Sequence, residues 1–305
     1  MTETAIRAKP SLDRFVFVPK GATNTGIVTT PTFIAGELAQ QVFEMYQQLR
    51  ENKYGNNSNL QLAYQNEQLV GSNTFDNMII DQIVRPFGIR TASVSDLSNV
   101  ELTRMAKDNH YVDSRSLVLR SIQDGTNSRN SGLATELAKY VDMKQVEAGK
   151  PALMTGFTVE PLANDKKGYG LHFVPIDGEF SVIYDDRLSN QWNQFKFDSV
   201  DANGLPLDLD KKKGSRTWYT RNDGLSRLYL NRYLDVSSDG DRLINSDADG
   251  RVALFGGEAA GADFSVKLLT QVDQARSELS TRYEQANAII ETASQEAHKV
   301  LRGNK

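Results

Sequence analysis

The stretch from Trp218 to Phe255 constrains this chain most, because its strict alternation of residue type leaves few backbone forms open. Leu228, Leu230, Leu234 and Val236 fall on one side of a period-two pattern, and Arg227, Tyr229, Asn231, Tyr233 and Asp235 on the other. Successive side chains of a strand point to opposite faces, so the pattern predicts a strand over 227–236 with one buried face and one polar face free to bind. The segment after it, from Ser237 to Gly250, is rich in Ser, Asp, Asn and Gly, the residues that tolerate turn backbones.

A second restriction lies over the same region. From Tyr219 to Gly257 there is no Lys, Glu, Gln, Met or Trp, although Lys, Glu and Gln are common elsewhere. These are residue types that codons ending in a pyrimidine do not encode, so a segment whose Asn codons had been randomised at their two adenines would lack them. With the order Trp218-x-x-Arg221, an alternating strand, a polar turn region and Gly250-Arg251-Val252, the region resembles the variable region of diversity-generating retroelement target proteins. The resemblance covers residues 151–257 and is strongest over 214–257. It implies a C-type-lectin-like fold that displays replaceable side chains. The ligand-binding residues it implies are Tyr229, Asn231, Arg232, Tyr233, Asp235, Ser237, Asp239, Asp241, Arg242, Asn245, Asp247 and Asp249, with the two tyrosines as rigid contact anchors. Trp218 matches the family's Trp near the start of the variable region. An ordinary turn-rich β-meander accounts for the same enrichment in Asp, Asn, Ser and Gly, and both readings stand at this point.

The rest of the chain predicts an α+β protein in three parts. Residues 1–150 read as mainly helical, 151–260 as the β-rich lectin-like domain, and 261–305 as a long amphipathic helix. In the first part a short strand is expected over 13–19, an extended connector over 21–30, and a helix opened by Pro31 with Phe33, Leu38, Val42, Phe43 and Tyr46 on its apolar stripe. Further helices are expected over 76–84, 95–108, 114–123 and 131–140. Past Pro151, short alternating runs at 153–159, 169–174, 180–184 and 195–197, separated by Gly, Asp and Asn, predict short strands, and Asn203-Gly204 predicts a turn. After Gly261, apolar residues from Leu268 to Val300 recur mostly in steps of four and three, a heptad seam that predicts homo-oligomers through a coiled coil. The alternative is a long helix packed on its own domain.

Function classes narrow in the same way. A net charge of −4 and the lack of any basic stripe argue against nucleic acid, and Lys211-Lys212-Lys213 reads as a solvated turn. Without cysteine there are no disulfides or thiolate sites. The N-terminus lacks the apolar core of a signal peptide and no run approaches the roughly 18 apolar residues of a membrane span, so a cytoplasmic or virion-associated protein is expected. His110, His172 and His298 are not at metal-ligand spacing. Asn245-x-Asp247-x-Asp249-Gly250 resembles the first half of a calcium loop, but Gly256 stands where the bidentate Glu belongs. Gly149-Lys150-Pro151 and the glycines at 256, 257 and 261 fit no nucleotide-binding pattern, and the adjacent Asp185-Asp186 reads as a turn. Binding without catalysis or cofactor is therefore the expected function, with a protein or surface ligand as partner. The competing class is a phage virion or other assembly protein whose polar strand merely faces water.

Overall fold

The computed structural model describes residues 31–256, except 86, 87, 108 and 166, together with five helical positions at 277, 281, 285, 289 and 290. The expected strand at 13–19, the connector at 21–30 and nearly all of the heptad-spaced segment lie outside the described residues.

Over residues 31–256, fifteen short strands and five α-helices follow one another in the order β1 (Thr32–Phe33), α1 (Gly36–Asn52), β2 (Ala63–Gln65), β3 (Gln68–Val70), α2 (Thr74–Val84), β4 (Ile89–Thr91), α3 (Val100–Ala106), β5 (Tyr111–Leu119), α4 (Asn130–Leu137) and α5 (Met143–Glu147), then β6 (Ala152–Thr155), β7 (Phe157–Pro161), β8 (Leu171–Pro175), β9 (Ser181–Tyr184), β10 (Phe195–Phe197), β11 (Arg216–Tyr219), β12 (Leu225–Leu230), β13 (Val236–Gly240), β14 (Gly250–Arg251) and β15 (Ala253–Gly256). The molecule is a mixed α/β protein built around a ten-stranded sheet, flanked by a β7–β8 hairpin and by a small sheet in which β15 lies between β1 and β4.

Strand β5 organises the whole. One edge pairs with β12. The other edge is divided: Tyr111 and Val112 pair in parallel with β14, while Leu117–Leu119 pair antiparallel with β6. Alternation along the sheet feeds two apolar layers. Leu117, Leu119, Ala152 and Met154 join α1, α2 and α4 in one cluster, and Val118, Leu153, Leu228, Leu230 and Val236 join Trp218 and Phe255 in the other. The boundary drawn at 150 from composition thus falls inside one sheet, because β5 from the first part carries β6 and β12 from the second.

Several expectations need correction. The helix expected over 114–123 is the latter part of β5 and the loop after it. A strand covered on both faces loses its alternation and reads as a continuous apolar run, here Leu117–Leu119, which periodicity alone does not separate from a helix. Pro31 does not open α1. Thr32 and Phe33 instead pair with Leu254 and Ala253, and the helix begins at Gly36. The 95–108 helix breaks in two, a 3-10 turn held by a Ser93–Asp96 capping box and then α3 capped by the Asn99 side chain. The expected helices at 76–84 and 131–140 and the short strands past 151 match observed elements within a few residues.

The single strand over 227–236 is a hairpin. Strands β12 and β13 pair through Leu230 and Val236, and residues 231–235 form the turn between them. The Asn231 carboxamide oxygen accepts from the backbone N–H of Tyr233 and of Asp235, which closes the turn, and Leu234 takes a left-handed φ of 66°. Because residues 230 and 236 face each other, the turn preserves parity, so the sequence pattern of the hairpin is the same as that of one long strand.

Candidate functional site

The hairpin turn and the 241–249 loop give the restricted segment its outer surface. Arg232, Tyr233, Arg242 and Asp247 are exposed, and Tyr233 is the most open large aromatic of the described residues at 75%. Arg232 reaches across to Asp249 at 3.6 Å, which ties the hairpin turn to the loop. This surface offers cations, carboxylates and an aromatic ring, a set suited to hydrogen bonding, ion pairing and stacking.

The other expected contact residues lie deeper and already have partners. Asn231 holds the turn. The Asp235 carboxylate accepts the Thr217 backbone N–H at 2.6 Å, fixing the hairpin to β11. Ser237 is buried. The Asp241 carbonyl accepts from the side chains of Asn127 and Asn130, and the Asn245 amide donates to Asp247 at 3.0 Å. Tyr229 is half-buried, with the Arg227 guanidinium 4.3 Å above its ring. Gly240 permits this packing, since a Cβ there would come within 3.0 Å of both Arg227 and Tyr229.

The loop that resembles half a calcium site closes around a phenol. The Tyr111 hydroxyl donates to the Ser72 carbonyl at 2.9 Å and lies 3.1 Å and 3.4 Å from the carbonyls of Asn245 and Asp247. A Cβ on Gly250 would lie 2.5 Å from that hydroxyl, so glycine is needed for the close approach. Among the described residues no three His, Asp or Glu side chains gather where a metal ion would sit.

Beneath this surface runs a layer of buried charge that the alternation pattern did not reveal. Arg227, expected on the free polar face, is 4% exposed and pairs with Asp113 at 2.9 Å and 3.1 Å. Burial pushes the Asp113 carboxyl up to about 6 despite the attraction and hydrogen bond of Arg227. Farther along, Arg120 donates to the Leu188 carbonyl and to the hydroxyls of Ser226 and Ser238 at 2.7–2.8 Å, and burial, with like-charged Arg221 beside it, pulls its guanidinium down to about 9. Asp239 faces this group. Burial raises its carboxyl, and its own N–H with Arg120, Arg221 and Arg227 only partly offsets the rise.

Several of the remaining singled-out residues have partners within the fold. Trp218 is fully buried and donates its indole N–H to the Arg187 carbonyl at 2.7 Å. Trp192 packs edge-on against Phe195. Asp185 pairs with Arg187, His172 lies 3.8 Å from Glu136, and the Asp210 carboxylate accepts the backbone N–H groups of Lys212 and Lys213 in an exposed turn. Among the described residues no helix is long and apolar enough to cross a membrane. Comparison with protein families, curated proteins and solved structures returns no match for this chain.

Proposed function

We propose that the chain is a ligand-binding protein of the diversity-generating retroelement type, in which a C-type-lectin-like scaffold displays replaceable side chains. The observation that carries this reading is the division within the restricted segment: Leu225, Leu228, Leu230, Val236, Leu243 and Val252 are buried, while Arg232, Tyr233, Arg242 and Asp247 stand exposed on neighbouring turns. A buried frame fixes the backbone, so the exposed positions are free to change identity without changing the fold. Asn231, Asp235 and Ser237 belong to the frame in this reading, which narrows the displayed set. The ligand is a protein or other surface met by the hairpin turn.

Sequencing the encoding locus from independent isolates tests this. Substitutions concentrated at 232, 233, 242 and 247, beside a near-identical repeat and a reverse-transcriptase gene, are expected. Substitutions scattered evenly along the chain, with no repeat nearby, would leave an assembly protein with a hydrated surface. The heptad-spaced residues after 261 add self-association to the reading, and light scattering that finds the full chain monomeric at tens of micromolar removes that part.

A further inference from the structure

On the face of the main sheet opposite Tyr229, where β5 divides between β14 and β6, the structure holds a cleft of about 260 Å³. Its walls come from distant parts of the chain: the β4–α3 connection, the middle of β5, the ends of β6 and β9, and the turn at 202–203. The side chains lining it include Ser93, Ser95, Ser116, Thr155, Ser181 and Asn203. We propose that this cleft binds a neutral, polyhydroxylated small molecule of about monosaccharide size.

Three observations carry the proposal. The first is the kind of lining. Every one of those six side chains both donates and accepts, and four of them already stand in two pairs: Thr155 Oγ1 lies 2.9 Å from Ser181 Oγ across the strand pair, and Ser93 Oγ lies 3.0 Å from Ser95 Oγ. Vicinal hydroxyls of a polyol have the same double character and spacing. Leu153 and Ile183 supply an apolar patch on which a ring's C–H face can rest.

The second is unspent bonding capacity. Ser116 is wholly buried, and its hydroxyl meets no hydrogen-bond partner among the described residues; nor does Nε of Arg115 beside it. Buried polar groups are almost always paired, because leaving one unmade costs its full desolvation. Both residues sit where the β5–β12 register shifts between Arg227 and Tyr229, a bulge that takes two extra residues on β5. Bulges of this kind re-aim side chains, and they concentrate beside sites.

The third is charge balance with a rigid frame. Arg115 pairs with Asp81 at 3.0 Å, Arg85 pairs with Asp81 and Glu179, and Arg90 with Asp96, so three cations meet three carboxylates around the cleft and no net field calls for an ion. The walls are locked backbone to backbone. A Cβ on Gly156 would lie 2.3 Å from the Glu179 carbonyl oxygen, and one on Gly204 would lie 2.6 Å from the Val94 carbonyl group. The site is therefore formed before any ligand arrives, which spares the cost of ordering it.

Amide NMR of the full-length, 15N-labelled protein tests this directly. Titration with D-glucose, D-galactose, D-mannose and myo-inositol is expected to give, for at least one of them, saturable shifts confined to residues 93–95, 115–116, 155–156, 179–183 and 202–203. Ser116→Val and, separately, Ser181→Ala are expected to weaken that binding about tenfold, the worth of one hydrogen bond, with melting temperatures that show both variants folded. The proposal is overturned if no polyol saturates these amides, if inorganic phosphate or sulfate saturates them at lower concentration than every polyol, or if both variants bind like wild type. None of these results bears on the hairpin surface.

Discussion

Two buried arginine–aspartate pairs bracket β12, and their carboxyls move in opposite directions. Asp113, which meets Arg227, and Asp124, which meets Arg221 at 2.7 Å, both have side chains with no exposed surface. Burial pushes each carboxyl up. For Asp113 only Arg227 pushes back, and the group ends near 6. For Asp124 the N–H of Asn127, the side chains of Arg221 and Asn130 and the Arg221 charge together overcome burial, and the carboxyl ends below its ordinary value. Depth and donors act together: the Asp113 carboxyl lies deeper and meets one donor side chain, whereas several donors are aimed at Asp124, and each bond to the anion offsets part of its lost hydration.

The largest expected effect follows from removing the better-served carboxylate. Asp124→Asn leaves the Arg221 charge facing a neutral amide and sets an NH2 group against the Asn130 amide that the carboxylate now accepts, so denaturant titration at pH 7 should show a loss of about 3–5 kcal/mol. A loss under about 1 kcal/mol would break the comparison.

The sharper test is the sign of the pH dependence. A carboxyl with a raised folded pKa binds its proton more tightly in the native state. Its contribution is present below the unfolded value near 4 and is lost as pH rises through the folded value. Asp113 therefore makes wild type lose stability between about pH 4 and 6. Asp76 extends the loss to about pH 7, since burial raises its carboxyl to about 7 while Tyr46 donates to it at 2.6 Å. Asp113→Asn and Asp76→Asn should each gain on wild type as pH rises from 4 to 7.5, by on the order of 2–4 kcal/mol. Asp124 runs the other way: its contribution is present above pH 4 and lost as pH falls through its depressed value, so Asp124→Asn loses ground on wild type as pH rises past that value. Melts extended from about pH 2 to pH 7.5 decide the matter, and parallel slopes for the Asp113 and Asp124 variants relative to wild type would refute the opposite shifts of the two carboxyls.

The smallest effect is expected at the exposed limit. Arg232 and Asp249 form a pair with half of each side chain in water, and Arg232→Ala should change stability by no more than about 0.5 kcal/mol. A larger cost would place Arg232 in the frame and remove it from the displayed set.

These pairs also mark what the chain's pattern concealed. The leucines of β12 and the valine of β13 were legible, because burial of one face of a hairpin leaves a local period of two. Arg227 was misplaced because its partner lies 114 residues earlier, and a charge at an alternating position carries no local sign of whether an opposite charge covers it. Strand β5 was misread for a related reason: it is buried on both faces, and its polar residues Asp113 to Ser116 run consecutively into the apolar Leu117–Leu119, so no polar–apolar alternation reveals its period. The cleft left fainter marks. Ser114 and Ser116 alternate just ahead of an apolar run, as Ser93 and Ser95 alternate around Val94, but only the fold brings the serines at 93, 95, 116 and 181 to one place.

The pairing of β1 with β15 has a consequence of another kind. Thr32 stands opposite Leu254, so the backbone enters and leaves the described body at one corner, side by side. A body whose entrance and exit adjoin can be set into another protein's loop as a self-contained insert, and it can be cut open elsewhere without losing its pairing scheme. A circular permutant that joins residues 31 and 256 by a short flexible linker, with new termini in the exposed turn at 211–213, should keep every strand neighbour it has now.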